Sequence, residues 1–115
     1  MRTLLALSIM FAAGPALAAD GAQLFADQCS SCHLPGGASG ASGPSLKGVV
    51  WRKVAGRGDF TYSGALKSLG GSWSPSRLDG FLKDTQAFAP GTGMYFAIGN
   101  AADRKAIVAY LKTTP

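Results

Sequence analysis

The sequence predicts an all-α domain of three to four short helices joined by loops. Three observations point there: apolar residues recur three and four positions apart in several segments, good helix-capping residues stand ahead of two of them, and no useful stretch alternates with the period of a strand. The chain has 115 residues with two cysteines, one histidine and three methionines, so each chemically distinctive residue can be weighed individually.

At the start, Arg2 precedes an apolar run over 4–13, a Gly14-Pro15 break and small residues at Ala16 and Ala18. This is the layout of a secretory signal peptide cut after Ala18. The run is shorter than the ~20 residues that span a bilayer, so no stable membrane insertion is expected. Residues 1–18 are then a leader and 19–115 one domain, near the size at which a core benefits from a metal or cofactor.

Gly21, Phe25 and Cys29 are each four apart and share a helical face, which predicts a helix over 20–28 leading into the first cysteine. The segment 34–50 is rich in Gly, Ser and Pro and reads as a loop. A weaker helical turn is expected over 64–69, stopped by Gly70-Gly71. Ser74 as N-cap with Pro75 at the first helical position opens another helix, with Leu78, Phe81 and Leu82 on one face. Gly80 within it costs about 1 kcal/mol relative to Ala, which a close neighbour would explain. Asn100 caps the last helix, which places Asp103 in its first turn, Ile107, Tyr110 and Leu111 on a buried stripe, and Lys112 near its end.

Eleven Lys and Arg face six acidic residues, all Asp, for a formal net charge of +5. Arg2 leaves with the leader, so the mature domain carries one charge less. Lys47, Arg52, Lys53, Arg57, Lys67, Arg77 and Lys83 are spread out with no aromatic ladder beside them, which argues against nucleic acid. Such a balance can bias docking to an acidic partner.

The two cysteines and the one histidine stand together as Cys29-Ser30-Ser31-Cys32-His33. This is the C-x-x-C-H haem attachment signature. Cysteines three apart on a helical turn project to one side, where each can form a thioether with a haem vinyl group, and the adjacent His33 imidazole can ligate the iron. A redox disulfide of thioredoxin type would leave His33 without a role and would need a strand–helix–strand setting. Zinc would need a fourth ligand that no second cluster supplies. One covalently attached haem c is therefore expected.

The other axial position decides the chemistry. A methionine sulfur closes the iron and raises its potential, while an open position admits peroxide or gases. Met1 and Met10 leave with the leader, so Met94, in the Gly-rich run Pro90-Gly91-Thr92-Gly93-Met94, is the candidate ligand.

With these motifs in place, the chain resembles the class I c-type cytochromes across nearly its whole mature length. Gly21 and Phe25 look like the Gly and aromatic of that family's first helix, which pack on the last helix at Tyr110. GPSLKGV from Gly43 resembles GPNLHG, which implies that the Pro44 carbonyl accepts the His33 ring N–H. WRKVAG from Trp51 and DFTYSGAL from Asp59 are similar to FGRKAG and GFxYTxAN, so Arg52, Tyr62 and Trp73 are expected to hydrogen-bond the haem propionates. PGTGMYF resembles PGTKMxF, adding Thr92 to the propionate contacts and Met94 as distal ligand.

The resemblance implies a class I cytochrome c fold wrapped around one haem, and a periplasmic monomer carrying single electrons. Transient docking of redox partners at the haem edge is expected, with no catalysis of bond chemistry. A haem enzyme or gas-binding protein with an open sixth position is the alternative, and a fixed subunit of a larger oxidase or dehydrogenase fits the same motifs. Phe81 stands where many relatives have a tyrosine near the methionine sulfur, Leu66 where many have an asparagine, and Gly93 where mitochondrial forms have a lysine. The first two imply a drier pocket. Phe81→Tyr is accordingly expected to shift the midpoint potential, and an unchanged potential in voltammetry would dispose of that expectation.

Overall fold

The computed structural model describes residues 8–10 and 20–114. The expected cut after Ala18 lies outside the described residues. Among the described residues five helices follow in order: α1 Gly21–Gln28, α2 Gly64–Leu69, α3 Pro75–Lys83, α4 Thr85–Phe88 and α5 Ala101–Leu111. Among the described residues the only strand-like feature is one isolated antiparallel bridge between Lys53 and Ser72. No described helix is long and apolar enough to cross a membrane.

The helix starts follow from their caps. Asp20, Ser63, Ser74 and Asn100 each present a side-chain oxygen to a backbone N–H in the first turn of α1, α2, α3 and α5 respectively, satisfying donors that helix geometry leaves unpaired. The short α4 adds to the three to four helices expected. Its start signal is Asp84, whose carboxylate accepts from the Gln86 and Ala87 amides, but four residues are too few for apolar periodicity to reveal it.

α1 and α5 cross at close range. A side chain at Gly21 would collide with the Ala106 carbonyl and Tyr110 Cβ, so glycine lets the two backbones meet. One turn on, the Phe25 and Tyr110 rings meet at a tilt of 48° with centroids 5.3 Å apart. Tyr110 packs on Phe25, itself only half-buried at the edge of the molecule, and so stays half-buried, while α5 buries Ile107, Val108 and Leu111 instead of the expected Ile107, Tyr110 and Leu111 stripe.

α3 closes the other side of the core with Leu78, Phe81 and Leu82. Full burial of side chains of this size stabilises the fold by about 1.5–3 kcal/mol each. Phe81 and Phe88 pack around Trp73 at 5.0 and 6.1 Å between ring centroids. The missing side chain of Gly80 makes room for the Phe88 ring, 3.3 Å from where a Cβ would stand.

The buried cation Arg104 ties these elements together. Its Nε donates to Asp79 of α3 at 2.9 Å, and its Nη1 to the Ile98 and Gly99 carbonyls at 2.8 and 3.1 Å. Burying the guanidinium without these acceptors would carry a large desolvation cost.

Trp51 has φ 69°, a left-handed conformation that costs an L-residue roughly 1–2 kcal/mol, and its side chain is 66% exposed. Its N–H donates to the Trp73 carbonyl at 2.7 Å, a bond any residue there could make. Trp51→Gly should relieve the strain at the cost of some chain entropy. A net gain of about 0.5–1 kcal/mol and a rise in Tm of a few degrees are expected. A lower Tm in a thermal melt would show that packing of the exposed indole outweighs its backbone strain.

Candidate functional site

α1 delivers the first cysteine. After Gln28 the chain keeps turning: the Cys29 N–H donates to the Phe25 carbonyl, and the Cys32 and His33 N–H groups both donate to the Cys29 carbonyl, at 3.2 and 2.9 Å. These turns bring Cys29, Cys32 and His33 to one wall of a cleft of about 280 Å3. Cys29 is buried and Cys32 exposed, and the two are not joined in a disulfide. Burial alone pushes the Cys29 thiol up to about 11.

The His33 ring is fixed by the loop that follows. Its Nδ1 lies 2.9 Å from the Pro44 carbonyl oxygen. A carbonyl can only accept, so Nδ1 carries the proton and Nε2 keeps the lone pair a metal would need. Burial, the largest influence, lowers the His33 pKa and favours the neutral ring. Gly43 permits the approach, because a Cβ there would stand 2.8 Å from the Cys32 carbonyl oxygen and 2.9 Å from His33 Nδ1.

A polar lattice holds that loop in turn. Ser45, fully buried, donates its N–H to Ser39 Oγ at 2.9 Å and its hydroxyl to the Gly36 carbonyl. Ser39 donates its N–H and hydroxyl to Asp59, at 3.0 and 2.8 Å. Arg57 grips the same carboxylate through Nε and Nη2, at 2.8 and 2.9 Å, and reaches the Gly37 carbonyl. Hydrogen bonding from Arg57, then from the Ser39 amide and hydroxyl, holds the Asp59 carboxyl well below the usual carboxylate range.

The remaining residues singled out from sequence also line the cleft: Pro44, Arg52, Tyr62, Trp73, Thr92 and Met94. Trp73, Tyr62 and Thr92 are buried, and Met94 is half-buried against the core. Arg52 binds the Lys47 and Ser45 carbonyls through its Nη atoms at 3.0 and 2.9 Å, but its Nε is buried without a hydrogen-bond partner. An unsatisfied buried donor costs about 1–3 kcal/mol, and an anionic substituent entering the cleft would recover it. The cleft therefore fits a mostly apolar group that can be attached at two cysteine sulfurs and carries negative charge.

Sequence reasoning missed Ser39, Ser45 and Asp59. Asp59 meets Ser39 across 20 positions of sequence, and no local spacing signals such a pair. No cluster of three or more His, Cys, Asp or Glu that could hold a metal occurs among the described residues.

Comparison with known proteins agrees with this geometry. The family model described as cytochrome c matches residues 18–115. The chain is 43% identical over 96 residues to the cytochrome c-type cyt cy of Rhodobacter capsulatus, an alignment covering 83% of this chain and 48% of that protein. It thus spans about half the length of that relative. It is 42% identical over 97 residues to the cytochrome c of Tetrahymena pyriformis, covering 84% of this chain and 87% of the other. Cytochrome cH from Methylobacterium extorquens superposes with a TM-score of 0.74 at 38% identity, over 84% of this chain and 97% of that structure. The chain belongs to the cytochrome c family, its fold is that of the class I cytochromes c, and the cofactor of the family is covalently attached haem c.

The Asp59 lattice has a pH signature. A carboxyl with a depressed pKa in the folded state contributes stability above its unfolded value of ~3.9, and that contribution is lost as pH falls below it. Asp59→Asn should therefore destabilise the protein near pH 7, and the gap to wild type in urea unfolding should shrink near pH 3. A gap of equal size at both pH values would count against the carboxylate's charge as the source.

Proposed function

We propose that this cytochrome c family member is a periplasmic single-electron carrier, taking an electron from a donor such as a dehydrogenase and passing it to an acceptor such as a terminal oxidase. The carrying observation is that Cys29, Cys32, His33 and Met94 line one cleft. Cys29 and Cys32 would hold the haem by thioether links, and His33 Nε2 and the Met94 sulfur would ligate its iron. The haem supplies the reversible one-electron change.

The chain's own residues bind, orient and shield. Pro44 fixes the His33 ring and its tautomer. Arg52, Tyr62, Trp73 and Thr92 would meet the propionates, a reading supported by the orphaned Arg52 Nε. Tyr62 accepts the Arg57 N–H at 3.3 Å, which leaves its phenolic proton free to donate. Leu66, Phe81 and Leu82 make the cleft wall apolar and limit water. With one histidine in the sequence, already bonded to Pro44, no second imidazole is available as a distal acid or base, which favours a carrier over an enzyme.

Export rests on the leader over 1–18, cut after Ala18. Exposed Cys32, Gly93 and Tyr95 mark the open side of the cleft, where a redox partner would dock. The net positive charge favours an acidic partner and an on-rate that falls with ionic strength. The docked complex would be brief and its interface small, with the carrier itself a monomer.

Absorption spectra of the mature protein, oxidised, reduced and reduced under carbon monoxide, test the assignment. The weak red band of a Met–ferric iron bond is expected, with no change on adding carbon monoxide. Met94→Ala should abolish the band and admit carbon monoxide. A wild-type protein that lacks the band and binds carbon monoxide at once would replace the carrier by an enzyme or gas-binding protein.

A further inference from the structure

Met94 lies in a loop, outside any regular element, and a thioether is a weak, neutral ligand that another base can displace. Something must hold its backbone in place. α4, the helix that sequence periodicity does not show, stands against this segment, and its first two residues make nearly all of their polar contacts to it.

Thr85 is fully buried and pairs with the backbone on the far side of Met94. Its N–H donates to the Phe96 carbonyl and its Oγ1 accepts the Phe96 N–H, each at 3.1 Å. The same hydroxyl has one proton, which goes to the Met94 carbonyl at 2.5 Å, closer than the Phe96 carbonyl at 3.1 Å. Gln86 takes the near side. Its Nε2 donates to the Thr92 carbonyl at 2.8 Å and the Met94 carbonyl at 3.3 Å, and its Oε1 accepts the Gly91 N–H at 3.3 Å.

The Met94 carbonyl thus receives two side-chain donors, and the residues before and after it are fixed by the same two side chains. We propose that Thr85 and Gln86 are positioning residues that clamp the backbone of Met94 and so keep its sulfur on the iron. This rests on Met94 being the distal ligand. The clamp acts through another residue, with no contact to the haem required. α4 is itself anchored by Asp84, whose carboxylate fixes the Gln86 and Ala87 amides, so the clamp is held at its base.

The experiment uses the holoprotein and imidazole as a competing ligand for ferric iron, followed by loss of the red band, with Tm measured alongside. Thr85→Val keeps the shape and removes the hydroxyl, Gln86→Ala removes the amide, and Thr85→Ser restores the hydroxyl. Each of the first two should tighten apparent imidazole binding by about five- to tenfold, in keeping with the loss of one or two hydrogen bonds. Thr85→Ser should stay within about twofold of wild type.

Unchanged imidazole affinity in Gln86→Ala and Thr85→Val, whatever the Tm, would overturn the clamp and leave α4 a purely structural turn. Should Thr85→Val fail to fold, Gln86→Ala carries the same decision. Absence of the red band from the wild-type protein would instead overturn Met94 ligation, and the clamp with it.

Discussion

The hydrogen bond between His33 Nδ1 and the Pro44 carbonyl is the contact on which the rest of the site depends. It spans 11 positions of sequence and joins the turn after α1 to a loop with no regular structure. A loop of this composition would ordinarily wander, since Gly and Ser leave the backbone free and the entropy of fixing it is large. The chain meets that cost with side chains. Ser45 and Ser39 satisfy backbone groups within the loop, Asp59 and Arg57 tie it to the segment before α2, and Arg52 caps the Lys47 and Ser45 carbonyls. The Pro44 carbonyl is thereby presented at a fixed point, and the imidazole orientation follows.

The two sides of the cleft are built by different means. On the His33 side, the turn that follows α1 supplies the ligand and a braced loop orients it. On the Met94 side, a loop supplies the candidate ligand and a four-residue helix braces the loop. Both arrangements place backbone carbonyls under side-chain donors. The core joins them: α5 packs on α1 through Phe25 and Tyr110, and Arg104 links α5 to α3 and to the carbonyls of Ile98 and Gly99, just after the Met94 segment.

Much of this was legible in the sequence, because the devices involved are local. Caps at Ser74 and Asn100, the Pro75 start and the Gly70-Gly71 stop depend on neighbours within four residues, and each marks an observed boundary. The spacing of Cys29, Cys32 and His33 is equally local. What sequence did not show is non-local or runs against type. The Ser39–Asp59 pair depends on the folded path between them. Arg104 is a buried cation that looks like a solvated one until Asp79 and two carbonyls surround it. Trp51 holds a left-handed conformation that propensity assigns to glycine.

The braces share one physical property that suits the proposed role. Few of them rely on a proton that moves near neutrality. Hydrogen bonding holds the Asp59 carboxyl far below its usual range and pushes Arg57 upward, and the Thr85 and Gln86 contacts are between neutral groups. A carrier loses speed whenever its surroundings must rearrange as charge arrives or leaves, because each rearrangement adds to the barrier. Neutral donors fixed to backbone carbonyls, and ion pairs locked in one protonation state, have little to rearrange. On that reading the polar lattice around the cleft is as much a part of the electron-carrying function as the residues that would touch the haem.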